Sequence, residues 1–183
     1  ESDLSTGETL NGNGGNDLLF GNGGSDTLNG GDGNDLLVGG AGNDTMNGGN
    51  GRDTFLWQTG DSGTDTIQSF IINYIGNANG DRLDLSQVLV GASTSGNGGL
   101  GNLLNYLDIS SSALGGVGGS ALDTTIKVSV AGTGNFASPD HTIILQDVNL
   151  LGGASAGGYG AGGTESSVIL AMLGDGTLKV DTV

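Results

Sequence analysis

The sequence predicts a mainly β protein: a parallel β-roll, that is, a solenoid of nonapeptide repeats, followed by a β-rich capping region with short helices. Two observations carry this prediction. A nine-residue period is held without interruption over five units near the N-terminus, and a fixed period of this kind is typical of solenoids. Later in the chain, alternating segments typical of strands are separated by glycine-rich stretches.

The repeats have two fixed positions. An aspartate occupies the sixth position of every unit and an apolar residue the eighth, whereas the preceding unit, residues 3–11, keeps only this ending with Glu8 and Leu10 in phase. The five units are Gly12–Phe20, Gly21–Asn29, Gly30–Val38, Gly39–Asn47 and Gly48–Leu56. A flexible glycine-asparagine linker would not keep two residue types in phase. The period therefore predicts ordered structure.

Each unit divides at its aspartate. The glycine-rich half can reach positive φ and turn, and the x-apolar-x half suits a three-residue strand with one inward side chain. Two units complete a coil, so turns eighteen residues apart should stack. The inward positions are Leu19, Leu28, Leu37, Met46 and Phe55, and the outward ones are Leu18, Thr27, Leu36, Thr45 and Thr54. The mixture of leucine and threonine outside argues against an ice-binding solenoid, which needs a flat threonine ladder.

The charge balance predicts a bound cation. The chain of 183 residues has 20 acidic and four basic residues, a net charge of -16, and 40 glycines. Such a chain repels itself and repels nucleic acid, which excludes nucleic acid as a partner. Low hydrophobicity with high charge is typical of disorder, but a hard cation bound to the carboxylates would remove the repulsion. Without cysteine, thiolate metal sites and disulfides are excluded. Calcium is the predicted cofactor.

Stacked turns can supply what calcium requires. The ion takes six to eight oxygen ligands at about 2.3–2.6 Å, and each turn offers backbone carbonyls, left uncrowded by glycine, together with one carboxylate. Beyond the repeats, Asp65 and Asp81 are predicted to complete a site where the last turn meets the cap. Asp61 and Asp84 are further candidates there.

The nonapeptides resemble the RTX (repeats-in-toxin) motif GGxGxDxUx, which implies a calcium-loaded parallel β-roll with each aspartate bridging successive ions. Three complete inter-turn sites are expected, with partial ones at the ends. Asn13 and Asn22 depart from the motif at its second glycine, which makes the N-terminal turns the least regular. The expected metal-binding residues are Gly12, Gly14, Asp17, Gly21, Gly23, Asp26, Gly30, Asp32, Asp35, Gly39, Ala41, Asp44, Gly48, Asn50, Asp53, Asp65 and Asp81.

Downstream of residue 56 we predict a cap. Strands are predicted at Thr54–Gln58, Asp65–Phe70, Thr124–Val130, Thr142–Gln146 and Thr177–Val180, a strand running into a short helix at Asp81–Val90, helices at Asn102–Leu107 and Thr164–Leu173, and loops at Gly91–Gly101 and Gly152–Gly163. The second of these helices should be capped by Thr164 and stopped by Gly174. No apolar stretch of about 18 residues predicts a membrane span.

The order of roll, DTIQSF, DRLDLSQVLV and TTIKVSV resembles the C-terminal type I secretion region of very large bacterial RTX adhesins. This resemblance implies a roll over residues 1–56 and a cap and secretion region over residues 57–183. It further implies export by an ABC-type exporter of a Gram-negative bacterium, folding on extracellular calcium, and a location at the cell surface. We expect the module to be monomeric and to serve no catalysis.

Two other classes remain open. The same roll occurs as the C-terminal foldase and secretion domain of RTX proteases and lipases, and a standalone binding solenoid is a weaker alternative. The sequence contains no HExxH, GxSxG or Walker A motif. Its single histidine, His141, follows Pro139–Asp140 and is predicted to be a surface loop residue.

Overall fold

The computed structural model describes residues 6–72, 80–90, 92, 102–112, 123–130, 132, 134, 137, 139–151 and 165–180. In chain order the strands are β1 (Thr9–Gly14), β2 (Leu18–Gly23), β3 (Thr27–Asp32), β4 (Leu36–Ala41), β5 (Thr45–Asn50), β6 (Thr54–Leu56), β7 (Gly63–Gln68), β8 (Arg82–Asp84), β9 (Leu107–Ser112), β10 (Asp123–Val128), β11 (His141–Leu145) and β12 (Leu178–Lys179). A 3-10 turn spans Leu103–Asn105, and helix α1 spans Glu165–Asp175.

These strands form two sheets. The first has the order β1-β3-β5-β7-β11-β10-β9, and the second has the order β12-β8-β6-β4-β2. Strands from the repeats alternate between the sheets and pair in parallel. The predicted fold class, mainly β with a parallel β-roll, is confirmed.

The stacking period is eighteen residues. Leu10 pairs with Leu28, and Leu28 with Met46, in the first sheet, while Leu19 pairs with Leu37 in the second. All of the eighth-position side chains from Leu19 to Phe55 are buried. The predicted strand length was wrong. Most strands of the roll have six residues, because the first three residues of the following unit are also extended.

The two asparagines that depart from the motif keep the turn geometry. Asn13 has φ 72° and Asn22 has φ 71°, and the glycines at the same repeat position, such as Gly31 at 112°, are also left-handed. Asparagine tolerates this region better than other residues with a Cβ. The N-terminal turns therefore have the same backbone handedness as the later ones.

The C-terminal half extends both sheets of the roll. Strand β7 pairs in parallel with β5, and β11 with β7, after which β10 and β9 continue antiparallel. In the second sheet β8 lies beside β6 and β12 beside β8. The core is shared across this junction, where the rings of Phe55 and Phe70 lie 5.9 Å apart. The cap is thus joined to the roll by backbone pairing and by packing.

Several local predictions differ from the structure. The predicted helix after Asp81 is only a turn following β8. Helix α1 continues past Gly174, and the first left-handed residue after it is Gly176, with φ 81°. The predicted N-cap Thr164 lies outside the described residues, as do the loop 152–163 and all of the loop 91–101 except Ala92. Within the described residues no helix is long and apolar enough to cross a membrane.

Candidate calcium site

The repeat aspartates stand in two columns, one at each row of turns. In each column the backbone N–H of one residue donates to Oδ1 of the aspartate in the next turn. The first column contains the bonds Asp17 to Asp35 (2.8 Å), Asp35 to Asp53 (2.9 Å) and Asp53 to Asp81 (3.0 Å). The second contains the bonds Glu8 to Asp26 (2.7 Å), Asp26 to Asp44 (2.8 Å) and Asp44 to Asp65 (3.0 Å).

The other carboxylate oxygen distinguishes the repeats from the cap. In the five repeat aspartates Oδ2 is buried and accepts no hydrogen bond from any residue that the structure describes; these are Asp17, Asp26, Asp35, Asp44 and Asp53. A buried carboxylate oxygen without a partner is costly. Five of them at equivalent positions indicate a ligand that the described residues do not provide.

Glycine at the first repeat position leaves room beside each Oδ2. A Cβ added to Gly12 would lie 2.7 Å from Asp17 Oδ2 and 2.5 Å from the carbonyl oxygen of Gly30. A Cβ at Gly21 would lie 2.5 Å from both Asp26 Oδ2 and the Gly39 carbonyl oxygen. At Gly30, the corresponding neighbours are Asp35 Oδ2 and the Gly48 carbonyl oxygen. We call these three places, at Gly12, Gly21 and Gly30, the cradles.

The cradles suit a hard, oxygen-seeking ion. Each brings together a carboxylate oxygen from one turn and a carbonyl oxygen from the next. Among the described residues no group of three or more His, Cys, Asp or Glu side chains is placed to hold a metal ion, so a bound ion would depend on backbone carbonyls. Calcium accepts carbonyl and carboxylate oxygens in flexible numbers. The residues present fit calcium and not a transition metal that requires nitrogen or sulfur.

The third repeat positions are also part of the stacked turns. The carbonyl oxygens of Asp32, Ala41 and Asn50 accept N–H groups from the preceding turn at 2.7, 2.9 and 2.8 Å respectively, and each retains a second lone pair. The Asp32 side chain accepts a hydrogen bond from Asn50 Nδ2 at 2.7 Å. Gly14 and Gly23 occupy the corresponding positions at the ends of β1 and β2.

Asp65 and Asp81 differ from the five repeat aspartates. Both are buried, and both accept the column hydrogen bond through Oδ1. Their Oδ2 atoms are occupied by protein donors, because Trp57 Nε1 donates to Asp65 at 2.8 Å and the Ile71 N–H donates to Asp81 at 2.8 Å. Their ligation of calcium stays a prediction.

Burial perturbs the acids of both columns. Desolvation raises the pKa of Asp44, with the neighbouring charges of Asp26 and Asp61 adding to the shift. Desolvation likewise raises the pKa of Asp53. It raises the pKa of Asp65 and of Asp81 to about 7 in each case, against the hydrogen bonds they accept. Ionised carboxylates in the columns are destabilised by desolvation and by mutual repulsion, and a bound cation would offset both effects.

The other two acidic candidates have protein partners. Asp61 Oδ2 accepts the Gln58 N–H at 2.6 Å. Asp84 forms a salt bridge with Lys179 at 2.8 Å and accepts the Ser86 hydroxyl at 2.6 Å. Burial raises the pKa of Asp84, but the bonds from Lys179 and Ser86 outweigh it, and the net pKa is lowered. Asp84 therefore joins β8 to β12.

His141 was predicted to be a surface residue, and this was wrong. It begins β11, pairs with Val128 of β10 and is 3% exposed. Burial lowers its pKa, although the charges of Asp61 and Asp140 oppose that shift. The preceding Pro139–Asp140 is typical of a loop, but the residue after a turn can already belong to a buried strand.

A further repeat was missed in the sequence. Residues 60–68, GDSGTDTIQ, carry glycine, aspartate and an apolar residue at the first, sixth and eighth positions, as Gly60, Asp65 and Ile67. Three inserted residues, 57–59, separate this unit from the fifth, which raises the column spacing from 18 to 21 residues. A search that allowed one short insertion would have found it.

A second ladder of hydrogen bonds was also missed. At the fifth repeat position, Asn16 Oδ1 accepts the Asn34 N–H at 2.8 Å, and Asn34 Oδ1 accepts the Arg52 N–H at 2.9 Å. Asn43 Oδ1 accepts the Thr64 N–H at 2.8 Å in the other row. The asparagine that precedes Asp17, Asp35 and Asp44 was the signal. This ladder of hydrogen bonds connects successive turns without involving the carboxylates.

Comparison with known proteins agrees with this geometry. Residues 5–37 and 20–55 match the family described as the RTX calcium-binding nonapeptide repeat (4 copies). Calcium is the cofactor of these repeats. No curated protein sequence matches the chain.

The solved structures that share the fold include two subunits of one enzyme. The solution structure of the AlgE6R3 subunit from the Azotobacter vinelandii mannuronan C5-epimerase matches with 27% identity and a TM-score of 0.53, covering 79% of this chain and 73% of that one. The AlgE6R2 subunit of the same enzyme matches with 20% identity and a TM-score of 0.50, covering 99% and 96%. The second likeness concerns the fold alone.

Proposed function

We propose that this chain is a non-catalytic module that folds when its two columns bind extracellular calcium. The observation that supports this most directly is the set of five buried Oδ2 atoms without a partner among the described residues. The three cradles set carbonyl oxygens beside three of them. Calcium at the cradles would complete the coordination of both kinds of oxygen.

Bound calcium would offset the negative charge that opposes folding of the chain. A net charge of -16 opposes a compact state, and burial raises the pKa of Asp44 and Asp53. A divalent cation between turns removes the desolvation cost and the repulsion together. Because stacked turns do not exist in an unfolded chain, the free energy of calcium binding becomes free energy of folding.

The proposed context is the C-terminal end of a large secreted adhesin on a Gram-negative bacterium, with a type I ABC exporter as partner. Extracellular calcium modules bind at roughly 10⁻⁴–10⁻³ M. Columns of that affinity would be empty in the cytosol, where the chain must stay unfolded to be threaded through a channel, and filled outside. The support is the downstream sequence pattern, together with the calcium-binding repeats that the family match identifies.

The proposed division of the chain places the roll in residues 1–56 and the cap and secretion region in residues 57–183. The boundary coincides with the three-residue insertion that interrupts the repeat period. The module is proposed to be monomeric, and light scattering in calcium measures this.

Circular dichroism of the 183-residue chain tests the proposed function. In EGTA the segment Gly12–Leu56 should be largely disordered, and millimolar calcium should produce the β signal. Magnesium should substitute poorly, because it demands near-octahedral geometry at about 2.0–2.1 Å and dehydrates reluctantly. Equal β content in EGTA and in calcium would refute the proposal.

A second candidate function is that of an accessory domain in a secreted enzyme. The observation favouring it is that both similar structures are subunits of an epimerase, and RTX proteases and lipases use the same roll. Mass spectrometry of the native secreted polypeptide would distinguish the two. Peptides from a catalytic domain with HExxH or GxSxG favour the enzyme, and tandem immunoglobulin-like repeats favour the adhesin.

A further inference from the structure

In both columns the hydrogen bonding of the aspartate Oδ2 atoms changes at the end that meets the cap. Asp44 and Asp53 each have a buried Oδ2 with no partner among the described residues. The next aspartate in each column, Asp65 or Asp81, has its Oδ2 bonded to a protein N–H at 2.8 Å. In each column the change falls between two consecutive aspartates.

Insertions in the repeat supply both donors. Trp57 belongs to the three-residue insertion that lengthens the second column's spacing from 18 to 21 residues. Ile71 lies between the unit 60–68 and Asp81, where the first column's spacing lengthens from 18 to 28 residues. The same insertions that interrupt the repeat thus deliver an N–H group to the last carboxylate.

We propose that Trp57 and the Ile71 N–H close the two calcium columns. The array of ions then ends at Asp44 and Asp53. Asp65 and Asp81 hold the last turn by hydrogen bonds and leave no unpartnered Oδ2 for a further ion, in place of the calcium ligation that the sequence predicted for them. This inference rests on the proposed calcium-dependent function and defines where its site stops.

The physical reason is a competition for one oxygen. An N–H group points the positive end of its dipole at the carboxylate, and a cation placed beside that hydrogen is repelled by it. Trp57 is 2% exposed and Asp65 is 1% exposed, so water does not screen the repulsion. An indole also carries no acceptor that could join the ligands of an ion. Trp57 therefore acts as a positioning residue.

Trp57→Phe removes the donor and keeps an aromatic ring. Native mass spectrometry of the full chain in calcium should count one more bound ion on Trp57→Phe than on the wild type, because Asp65 Oδ2 becomes available. Phe70→Leu is the matched control, since Phe70 is also buried in the cap and has no N–H in its side chain. Its ion count should equal that of the wild type.

A second pair of variants keeps the test decisive if Trp57→Phe does not fold. Asp44→Asn should lose at least one calcium, whereas Asp65→Asn should bind as many ions as the wild type. Equal losses in these two variants would overturn the closure of the column, and so would an unchanged count in folded Trp57→Phe. A wild-type chain that binds no calcium would instead overturn the proposed function itself.

Discussion

Replacing Asp35 should weaken calcium-dependent folding far more than replacing Asp17. Both occupy the sixth repeat position of the first column, but Asp35 lies between two turns and Asp17 at the end. Asp35 Oδ1 accepts the Asp17 N–H at 2.8 Å, and a hydrogen bond to a charged acceptor contributes about 1.5–3 kcal/mol. Asp35 Oδ2 lies at the cradle at Gly30, and the Gly30 carbonyl oxygen of the same turn lies at the cradle at Gly12, whereas the Asp17 turn supplies an oxygen to the cradle at Gly12 alone.

These contacts determine the expected difference in folding free energy between the two variants. One ion present at a hundred times its dissociation constant contributes about 2.7 kcal/mol. Because the Asp35 turn serves one more cradle than the Asp17 turn, adding this contribution to the hydrogen bond makes Asp35→Ala about 4–6 kcal/mol more costly than Asp17→Ala. Divided over the three cradles, this is about 1.5–2 kcal/mol per ion, or roughly a ten- to thirtyfold difference in the calcium midpoint.

The assay is a calcium titration of both variants and the wild type, followed by far-UV circular dichroism and repeated by calorimetry. Asp35→Ala should show a midpoint roughly ten- to thirtyfold above that of Asp17→Ala. Coincident curves would refute the reasoning, because they would mean that the turns do not share ions at a spacing of eighteen residues.

Two further predictions follow from the cap. A fragment of residues 1–56 should stay unfolded at calcium concentrations that fold the full chain, because it lacks β7 and β8. A chain beginning at Gly21 should still fold. If the 1–56 fragment folded with the full chain's calcium midpoint in circular dichroism, the cap would be dispensable. In EGTA, acidification from pH 7.5 to 5 should increase the ordered fraction of the chain. Burial raises the pKa of Asp65 and of Asp81 from 3.8 to about 7. The folded state therefore holds protons that the unfolded state releases. That contribution is complete below about pH 4 and lost as pH rises through 7, and an ordered signal that falls on acidification would contradict it.

The period predicted the architecture of the roll because each repeat position has one physical role. The apolar eighth position must be buried, and this fixes the inward side chains from Leu19 to Phe55. The aspartates at the sixth position stack to form the two columns. The spacing of eighteen residues follows from placing two units in each coil, and it determines which aspartates are neighbours.

What the sequence did not reveal depends on tertiary context. The burial of His141 results from β11 lying between β7 and β10, which no local pattern encodes. Strand β9 has little alternation in its serine-rich half and was not predicted. The partners of Asp65 and Asp81 come from inserted residues, and only the folded chain shows that Trp57 and Ile71 reach those carboxylates.

The hydrogen bonds of the columns all run in one direction. An earlier residue donates its N–H, and a later aspartate accepts it, from Glu8 with Asp26 to Asp53 with Asp81. Each completed turn therefore displays a carboxylate acceptor toward the turn that precedes it in the chain. If assembly starts at the cap, each folded turn offers this acceptor to the next turn on its N-terminal side, whereas the fifth-position asparagines accept N–H groups from the C-terminal side and give their ladder the opposite polarity.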